Sequence, residues 1–477
     1  IVDWRNGPIS GLFFNYKQGE EFFETINERE RCGRIKIRRT YKTEKGVLIQ
    51  ISTPDGVFRR IESGWVKLET EQEIAAYRSR GLHSNEKRLP NILSLITNEQ
   101  FEMITTDPKR PVIIQGSAGS GKTTVALHRL GWLLHKGNSH ARAENTRVIV
   151  MNKSLQIYVS STLPSMGING VDAITFNSWA LSVIRHATSG KAFFKYRELP
   201  EFVEKIKFSN GILGALSQFV SQQVRDVDAA ISREFLTNEK LFKLWKESHN
   251  KAIQPRLKDF KHDVSESNLP IKEKQVALDY VQNLLTDQED YVGDLYKLLS
   301  DEKLLGSFLP ADPKLGEHLS YLSRMVDKNR RKNHLDYYDM SLILRLIQLK
   351  HGGLPNKHGG ISEFDHLVVD EAQDFGPVEF SIMMNSVGDK RDLTIVGDVS
   401  QKILFSRKFI GWENILDNLG IKKDTLIQLE VSFRCTVPIM NLARKVEGRK
   451  DPVSFGRPGS PVIWHRAVDQ NDFLETL

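Results

Sequence analysis

Residues 116–124 have the types and the spacing of a loop that could hold a chain of phosphate groups. Gly116, Gly121, Lys122 and Thr123 occupy the four fixed positions of the pattern G-x-x-x-x-G-K-[S/T]. Glycines let the backbone curl until successive N–H groups point at one anion. A lysine adds a point charge, and a threonine hydroxyl is a ligand that Mg²⁺ accepts. The residues predicted to surround the phosphates are Gly116, Ser117, Ala118, Gly119, Ser120, Gly121, Lys122, Thr123 and Thr124.

The sequence on either side of this loop has the strand, loop and helix order that the pattern requires. Residues 111–115 form a short apolar run, which predicts a buried strand. From Lys122 to His135 apolar residues recur at helical spacing, and the N-terminal end of such a helix attracts an anion. A glycine-rich turn that binds nothing is the alternative, and this context disfavours it. We infer that the chain binds a nucleoside triphosphate.

An acidic segment, Asp-Glu-Ala-Gln-Asp at 370–374, follows the apolar residues 367–369. Asp370 is placed to hold Mg²⁺, and Glu371 is placed to orient the attacking water or to take its proton. The alternative is that the acidic pair only caps the next helix. A guanine-specific site fits poorly, because the Asn152-Lys153 pair is followed by Ser154 and Leu155 rather than by the required aspartate.

Three later residues could complete a hydrolytic site. Gln401, after the apolar run 393–396, could contact the γ-phosphate, although a surface loop position is the alternative. Arg434 could reach the triphosphate across a cleft as an arginine finger. Its neighbour Phe433 could stack on the nucleobase, although core packing is the commoner fate of phenylalanine.

Composition limits the class of protein. The chain has 477 residues, which predicts about two to four domains. Hydrophobic residues make up 40% and charged residues 27%, as in ordinary globular proteins. No apolar stretch approaches the ~18 residues of a membrane span. The first residue is Ile1 and no signal-peptide pattern follows it, so we expect a fragment of a longer protein.

The cysteine content indicates the cellular location, and the net charge indicates the kind of partner. Cys32 and Cys435 lie far apart in unrelated contexts, which favours a reducing, cytoplasmic location without disulfides or a cysteine metal site. The net charge is +7, and basic residues concentrate in 31–45 and 328–332. Such clusters suit a polyanionic partner, but a solvated surface is the commoner explanation for each.

Hydrophobic periodicity divides the chain into five predicted regions. Strand signals that end in polar residues, with helices between them, predict a parallel α/β sheet with its site at the carboxyl edge. Short alternating runs and the turn signal Asp55-Gly56 predict a β-rich start, followed by a helical stretch at 71–82. Regular helical spacing at about 190–340 predicts a helical insertion. The regions are a β-rich module at 1–90, the α/β domain at 91–190 and 341–424, the helical insertion at 191–340 and a further segment at 425–477 beyond the first sheet.

These motifs together resemble the UvrD/Rep group of superfamily 1 helicases over nearly all of residues 92–445. The matching segments are Thr97–Gln100 with the Q motif, 116–124 with motif I, Thr175–Ser178 with motif Ib, 370–374 with motif II, 397–401 with motif III and 432–434 with motif IV. The resemblance implies a RecA-like P-loop NTPase fold, ATP with Mg²⁺ between two RecA-like domains, and 3′–5′ movement along single-stranded DNA. It also implies that Gln100 hydrogen-bonds adenine and that Phe176 and Asn177 contact nucleic acid. The helical insertion resembles subdomain 1B, and the resemblance implies that residues 425–477 are the beginning of the second RecA-like domain.

Within this group the chain resembles the helicase IV/HelD branch. The residues are Val2-Asp3-Trp4-Arg5 at the start, Val125–Arg129 after the phosphate loop, and Asn152-Lys153 with Tyr158 and Leu163-Pro164. HelD-like members bind RNA polymerase and use ATP to release it from stalled complexes. RNA polymerase is therefore the alternative partner to DNA.

The chain departs from the family pattern in two places. Gln401 is followed by Lys402-Ile403-Leu404, with only Phe405 nearby, where UvrD/Rep helicases carry aromatic residues that stack on bases. Motifs V and VI would lie beyond Leu477. Because these two motifs complete the second RecA-like domain, we expect the chain as given to bind ATP weakly and to hydrolyse it poorly. The missing aromatic residues instead favour the HelD-like alternative over stepping along DNA.

Overall fold

The structure is a computed structural model. It describes the residues on both sides of the phosphate loop and residues 192–340 of the helical insertion. The described residues are 12, 16–26, 29–44, 47–53, 55–61, 64–68, 98–107, 110–116, 119–190, 192–356, 360–388, 392–398, 411–412, 426–429, 435–446, 448 and 459–464.

Strands occur mainly in an N-terminal module and in one central sheet. In chain order they are β1 Glu21–Ile26, β2 Arg29–Arg34, β3 Thr40–Glu44, β4 Val47–Thr53, β5 Gly56–Ile61, β6 Gly64–Leu68, β7 Val112–Gly116, β8 Thr146–Val150, β9 Asp172–Thr175, β10 Phe194–Lys195, β11 Leu335–Asp336, β12 Leu354–Pro355, β13 Ile361–Ser362, β14 His366–Val369, β15 Leu393–Gly397 and β16 Leu426–Leu429.

Helices fill most of the remaining described chain. They are α1 Asn98–Thr105, α2 Lys122–Leu133, α3 Lys153–Ser165, α4 Phe176–Ala187, α5 Glu201–Lys207, α6 Asn210–Phe235, α7 Glu239–Glu247, α8 Ile253–Ser265, α9 Ile271–Gln288, α10 Tyr291–Ser300, α11 Glu302–Phe308, α12 Leu315–Arg331, α13 Asp339–His351, α14 Pro377–Met384 and α15 Val437–Val446. Among these described helices, none joins enough length to enough hydrophobicity to cross a lipid bilayer.

The N-terminal module is built from antiparallel strands, as the sequence predicts. Strands β1 and β2 form a hairpin, and β3 to β6 form a four-stranded meander in chain order. The predicted Asp55-Gly56 turn joins β4 to β5, and Gly56 has a φ of 139° that favours glycine. Strand β2 ends at Arg34, and the predicted helical stretch at 71–82 lies outside the described residues.

The central sheet has six parallel strands in the order β16-β7-β15-β14-β8-β9. Successive residues of a strand point to opposite faces, so both faces of this sheet are apolar. One face carries Ile113, Ile149, Leu367, Val369, Leu393 and Ile395. The other face carries Val112, Ile114, Val148, Val150, Val368 and Val396 and packs against α2 and α3. The predicted parallel α/β fold is confirmed.

The helical insertion predicted at 191–340 contains α5 to α12. Strands β10 and β11, where the chain enters and leaves it, pair in parallel. The first half of α6 packs in the same core as the sheet, through Ile212 and Leu216. Its second half packs with α7, α8 and α9 around a separate core that includes Val227 and Trp245. The insertion therefore has a base continuous with the α/β domain and a distal part with its own core.

The structure differs from the prediction at one domain boundary. The second α/β domain was predicted to begin at 425, yet β16 adds to the edge of the first sheet beside β7, with Leu429 opposite Gly116. Strand pairing between segments more than 300 residues apart leaves no local signal in the sequence. Helix α15, at Val437–Val446, is the first described helix after this strand.

Candidate functional site

Three loops converge at the carboxyl edge of the central sheet. Strands β7, β15 and β14 are neighbours in that order, so Gly116, Asp398 and Asp370 lie at adjacent strand ends. In open α/β sheets ligands bind outside the carboxyl ends of the strands. The sequence predicted each strand end separately, and the sheet order places β15 between the other two.

The glycines of the phosphate loop are required by its geometry. Gly119 and Gly121 have φ values of 73° and 86°, in the left-handed region. A Cβ on Gly116 would lie 2.4 Å from the Ser120 hydroxyl oxygen and 3.0 Å from the Leu429 Cβ. Gly121 immediately precedes α2, so the tight turn ends at the N-terminal end of that helix, with Lys122, Thr123 and Thr124 in its first turn.

The two predicted metal ligands meet in the structure. The Thr123 hydroxyl donates a hydrogen bond of 2.9 Å to a carboxylate oxygen of Asp370. Burial and the neighbouring Glu371 carboxylate raise the pKa of Asp370 to about 6, while Thr123 and the Lys122 charge oppose this shift. A cation stabilises a buried carboxylate beside a second carboxylate, because its positive charge offsets both the loss of water and the repulsion between the two negative charges.

Lys122 points back into its own loop. Its ammonium donates a hydrogen bond of 2.8 Å to the Gly116 carbonyl oxygen, and the residue is 8% exposed. The buried Ser120 hydroxyl has no hydrogen-bond partner among the described residues. Backbone N–H groups, an ammonium and an uncommitted hydroxyl around one turn form a donor set that suits a polyphosphate. The Thr123 and Asp370 oxygens are hard ligands that suit Mg²⁺.

Glu371 has an unusual backbone. Its φ of 53° and ψ of 47° place it in the left-handed region, which non-glycine residues seldom adopt. Its N–H donates to Asp370 over 3.0 Å, and its own carboxylate accepts a hydrogen bond of 2.7 Å from the Gln373 amide. The carboxylate is thus held in one orientation next to the Thr123–Asp370 pair.

Gln373 and Asp398 belong to the site, although the sequence assigned them no role. The Gln373 side-chain oxygen accepts a hydrogen bond of 2.9 Å from the Asp398 N–H, and both residues are 2% exposed. A Cβ on Gly397 would lie 2.8 Å from that same Gln373 oxygen, so a glycine is needed here. Both residues lie within the segments 370–374 and 397–401 that resemble motifs II and III, and this resemblance is the signal that could have found them.

Gln100 lies against the phosphate loop, and its contact with adenine stays a prediction. It is 6% exposed on α1, and its side-chain nitrogen is 3.7 Å from the position of a Cβ on Gly121. Asn152, weighed as part of a guanine-reading triplet, instead caps α3, because its side-chain oxygen accepts a hydrogen bond of 2.9 Å from Leu155 N–H.

The two predicted nucleic-acid contacts lie in different environments. Phe176 is 2% exposed and packs against Trp179 and Phe375, so its ring is not available for stacking on a base in this conformation. Asn177 is exposed in the first turn of α4, which Thr175 caps. Nucleic-acid contact by Asn177 stays a prediction, and burial argues against contact by Phe176.

Five predicted site residues lie outside the described residues: Ser117, Ala118, Gln401, Phe433 and Arg434. The basic cluster at 328–332 is described and ends α12, where Lys328, Arg330 and Arg331 are exposed in the last turn. Cations there are favoured by the helix dipole, which explains the cluster without a partner.

Comparison with known proteins identifies this arrangement. The sequence profile of the UvrD/REP helicase N-terminal domain matches residues 96–408, more than half of the chain. The chain belongs to this family. The matched residues include the phosphate loop, the helical insertion, Asp370, Glu371, Asp398 and Gln401. The predicted resemblance to the UvrD/Rep group is confirmed, and the narrower resemblance to the HelD branch stays a prediction.

Individual relatives are similar to this family member at low identity. The ATP-dependent DNA helicase PcrA of Staphylococcus aureus is 24% identical over 414 residues, which is 80% of this chain and 45% of PcrA. The "Probable DNA helicase II homolog" of Mycoplasma capricolum is 21% identical over 385 residues, 78% of this chain and 44% of that protein. The ATP-dependent DNA helicase srs2 of Schizosaccharomyces pombe is 24% identical over 352 residues, 73% of this chain and 34% of srs2. The chain therefore spans less than half the length of these relatives.

Proposed function

We propose that this protein hydrolyses ATP with Mg²⁺ and uses the energy to move along single-stranded DNA. The observation that carries the proposal is the hydrogen bond of 2.9 Å between Thr123 and Asp370, beside Lys122. It joins the phosphate loop to the acidic strand end, as a magnesium nucleotide site requires. Family membership and the printed names of the DNA helicase relatives support the same function.

The residues of the site divide the chemistry between them. Thr123 and Asp370 would hold Mg²⁺, which supplies charge neutralisation at the phosphates when bound. Lys122 would leave the Gly116 carbonyl for a phosphate oxygen, exchanging one hydrogen bond for a charge-assisted one. Glu371, oriented by Gln373, would orient the attacking water and take its proton. Gln100 would hydrogen-bond adenine, and Gln401 and Arg434 would contact the phosphates, with Phe433 on the base.

The direction of movement and the partner are part of the proposal. Resemblance to the UvrD/Rep group supports 3′–5′ movement on DNA, with Asn177 as a candidate contact. The predicted alternative is a HelD-like factor that binds RNA polymerase and releases it from stalled complexes. A cytoplasmic location, suggested by the cysteine content, fits either function.

Glu371→Gln on the intact protein tests the hydrolytic site. The variant should bind Mg²⁺–ATP with nearly unchanged affinity, while the turnover rate falls by about 10²–10⁴-fold because the proton acceptor is lost. Lys122→Ala should instead weaken binding. Glu363→Gln is a matched control, since it makes the same change at an exposed position near β14. Unchanged turnover in Glu371→Gln would show that another group accepts the proton.

The nature of the partner is tested on the wild-type intact protein. The ATPase rate is measured with and without single-stranded DNA, unwinding is measured on duplexes with 3′ or 5′ tails, and retention of RNA polymerase is measured by pull-down. Stimulation by DNA and unwinding from a 3′ tail are expected. Retention of RNA polymerase without DNA stimulation would replace the helicase proposal with the HelD-like one.

A further inference from the structure

Gln115 connects the catalytic loops to a tryptophan far along the chain. It is the residue of β7 next to the terminal Gly116. Its side-chain nitrogen donates a hydrogen bond of 3.2 Å to the Asp398 carboxylate. Its side-chain oxygen accepts a hydrogen bond of 2.6 Å from the indole N–H of Trp412. One amide therefore joins a strand end of the site to a residue 297 positions away.

The chemistry of the partners fixes the orientation of this amide. An indole N–H can only donate, and an ionised carboxylate can only accept. Gln115 can satisfy both only with its oxygen towards Trp412 and its nitrogen towards Asp398. If Trp412 moves away, the Gln115 oxygen loses a donor in a water-poor region, because Trp412 is 7% and Asp398 2% exposed.

The same direction of donation continues into the hydrolytic site. The Asp398 N–H donates to the Gln373 oxygen over 2.9 Å, and the Gln373 nitrogen donates to Glu371 over 2.7 Å. Two side-chain amides and Asp398 thus link Trp412 to Glu371, and we call this link the relay. Asp398 accepts through its carboxylate and donates through its backbone N–H, so the relay acts through the position of this one residue at the end of β15.

We propose that Gln115 is a positioning residue that couples Trp412 to the orientation of the Glu371 carboxylate. The proposal rests on the proposed ATP hydrolysis. With Trp412 in place, Gln115 fixes Asp398, Asp398 fixes the Gln373 amide, and Gln373 holds Glu371 in its hydrolytic orientation. Displacement of Trp412 releases the relay and slows hydrolysis without changing the phosphate loop.

Two other surfaces or clusters of the described residues do not support a proposal. The exposed aromatic and basic side chains of the β-meander, such as Tyr41, Trp65 and Lys67, share a sheet face, but nothing in the described residues shows what covers it. The buried Lys350–Asp294 ion pair joins α13 to α10 of the helical insertion, and both of its charges are balanced there. The relay is distinct from both because it ends on a residue that the proposed reaction uses.

The test compares Gln115→Leu, Trp412→Phe and the double variant with the wild-type intact protein. Gln115→Leu keeps the side-chain size without the amide, and Trp412→Phe keeps an aromatic ring without the N–H donor. Gln156→Leu is the matched control for the first, since Gln156 also donates one hydrogen bond, 2.8 Å to the Ala173 carbonyl, but lies away from the site. Trp464→Phe, at an exposed residue, is the control for the second.

Each single variant should lower kcat by about ten-fold while the affinity for Mg²⁺–ATP stays within about two-fold, because positioning of the base is lost and the phosphate loop is kept. The double variant should lose about ten-fold rather than about a hundred-fold, because both changes break one relay. In hydrogen–deuterium exchange, Mg²⁺–ATP bound to a Glu371→Gln background should change the exchange around Trp412, and Gln115→Leu should abolish that response.

The outcomes separate this inference from the proposed function. A wild-type protein that neither binds nor hydrolyses ATP removes both. Wild-type turnover together with unchanged kcat in Gln115→Leu and Trp412→Phe removes the inference alone. Loss of nucleotide binding in both variants also contradicts it, since Gln115 would then support the loop rather than orient Glu371.

Discussion

Glu371 combines a strained backbone with the chemical role proposed for its side chain. A non-glycine residue at a φ of 53° and ψ of 47° costs about 1–2 kcal/mol. The strain is maintained by two hydrogen bonds, from its N–H to Asp370 and from Gln373 to its carboxylate. The left-handed turn ends the extended strand directly after Asp370, and the Glu371 carboxylate is close enough to raise the pKa of Asp370.

The strain predicts an order of stability among variants that lack the carboxylate. Glu371→Gly should unfold at a higher temperature than Glu371→Ala, by about 1 kcal/mol in free energy of unfolding, because glycine adopts this conformation without a Cβ clash. Both should lose hydrolysis. Thermal and urea unfolding of the two variants measure the difference. If alanine is equally stable at this position, the left-handed backbone relaxes when the side chain is removed.

At the scale of elements, Arg129 joins the helix of the phosphate loop to the helix of Gln100. Arg129 is fully buried on α2, two turns after Lys122. Its guanidinium donates to the carbonyl oxygens of Met103, Ile104 and Thr106 at distances of 3.4, 3.2 and 2.8 Å. These carbonyls belong to the last turn and the exit of α1, where a cation also complements the helix dipole. Burial lowers the pKa of Arg129 to about 10, so it stays charged at neutral pH.

Arg129→Met should loosen α1 against α2. We expect a loss of about 3 kcal/mol in unfolding free energy, because several buried carbonyls lose their donor. Hydrogen exchange in 98–105 should rise, and Arg129→Lys should recover only part of the loss because an ammonium cannot span the same carbonyls. Arg233→Met, at an exposed position of α6, is the control. Equal stability of Arg129→Met and wild type would show that these carbonyls find other donors.

At the scale of the whole molecule, the junction between the helical insertion and the α/β domain contains a buried charge cluster. The Lys207 ammonium lies 2.7 Å from an Asp336 oxygen and 2.5 Å from an Asp339 oxygen. All three residues are at most 3% exposed. Burial raises the pKa of Asp339 to about 6, against the opposing effect of Lys207. One ammonium group therefore neutralises part of the charge of two carboxylates, where the chain returns through β11 from the helical insertion to the α/β domain.

Because one lysine faces two aspartates, removing the positive charge should destabilise the protein more than removing one negative charge. Lys207→Met should destabilise the protein by about 3–5 kcal/mol, because it leaves buried carboxylates without a counter-charge. Asp336→Asn should cost much less, because Lys207 and Asp339 remain a balanced pair. Urea unfolding measures both, and limited proteolysis at 332–338 reports opening of the junction. Equal destabilisation by the two variants would show that geometry rather than charge balance holds the junction.

Local signals were enough to predict the elements and to propose the residues that the structure brings together at the strand ends. The strand, loop and helix around Gly116 and Lys122, the strand before Asp370, and the helical region were all predicted from spacing and periodicity, and all are present. These signals are local because a tight glycine turn and a buried strand each require particular residue types at neighbouring positions. Phe176 shows the limit, since the sequence alone could not distinguish a core ring from one that contacts nucleic acid.

The amino-acid sequence by itself determined that this protein holds a phosphate loop and an acidic strand end, because motif chemistry is written in adjacent residues. Only the tertiary structure decided that β15 lies between them, that β16 joins the same sheet and that Gln115 connects Asp398 to Trp412. The physical reason is that strand order and side-chain relays depend on pairing between segments hundreds of residues apart. Such pairing is set by the packing of the whole core, and no single segment encodes it.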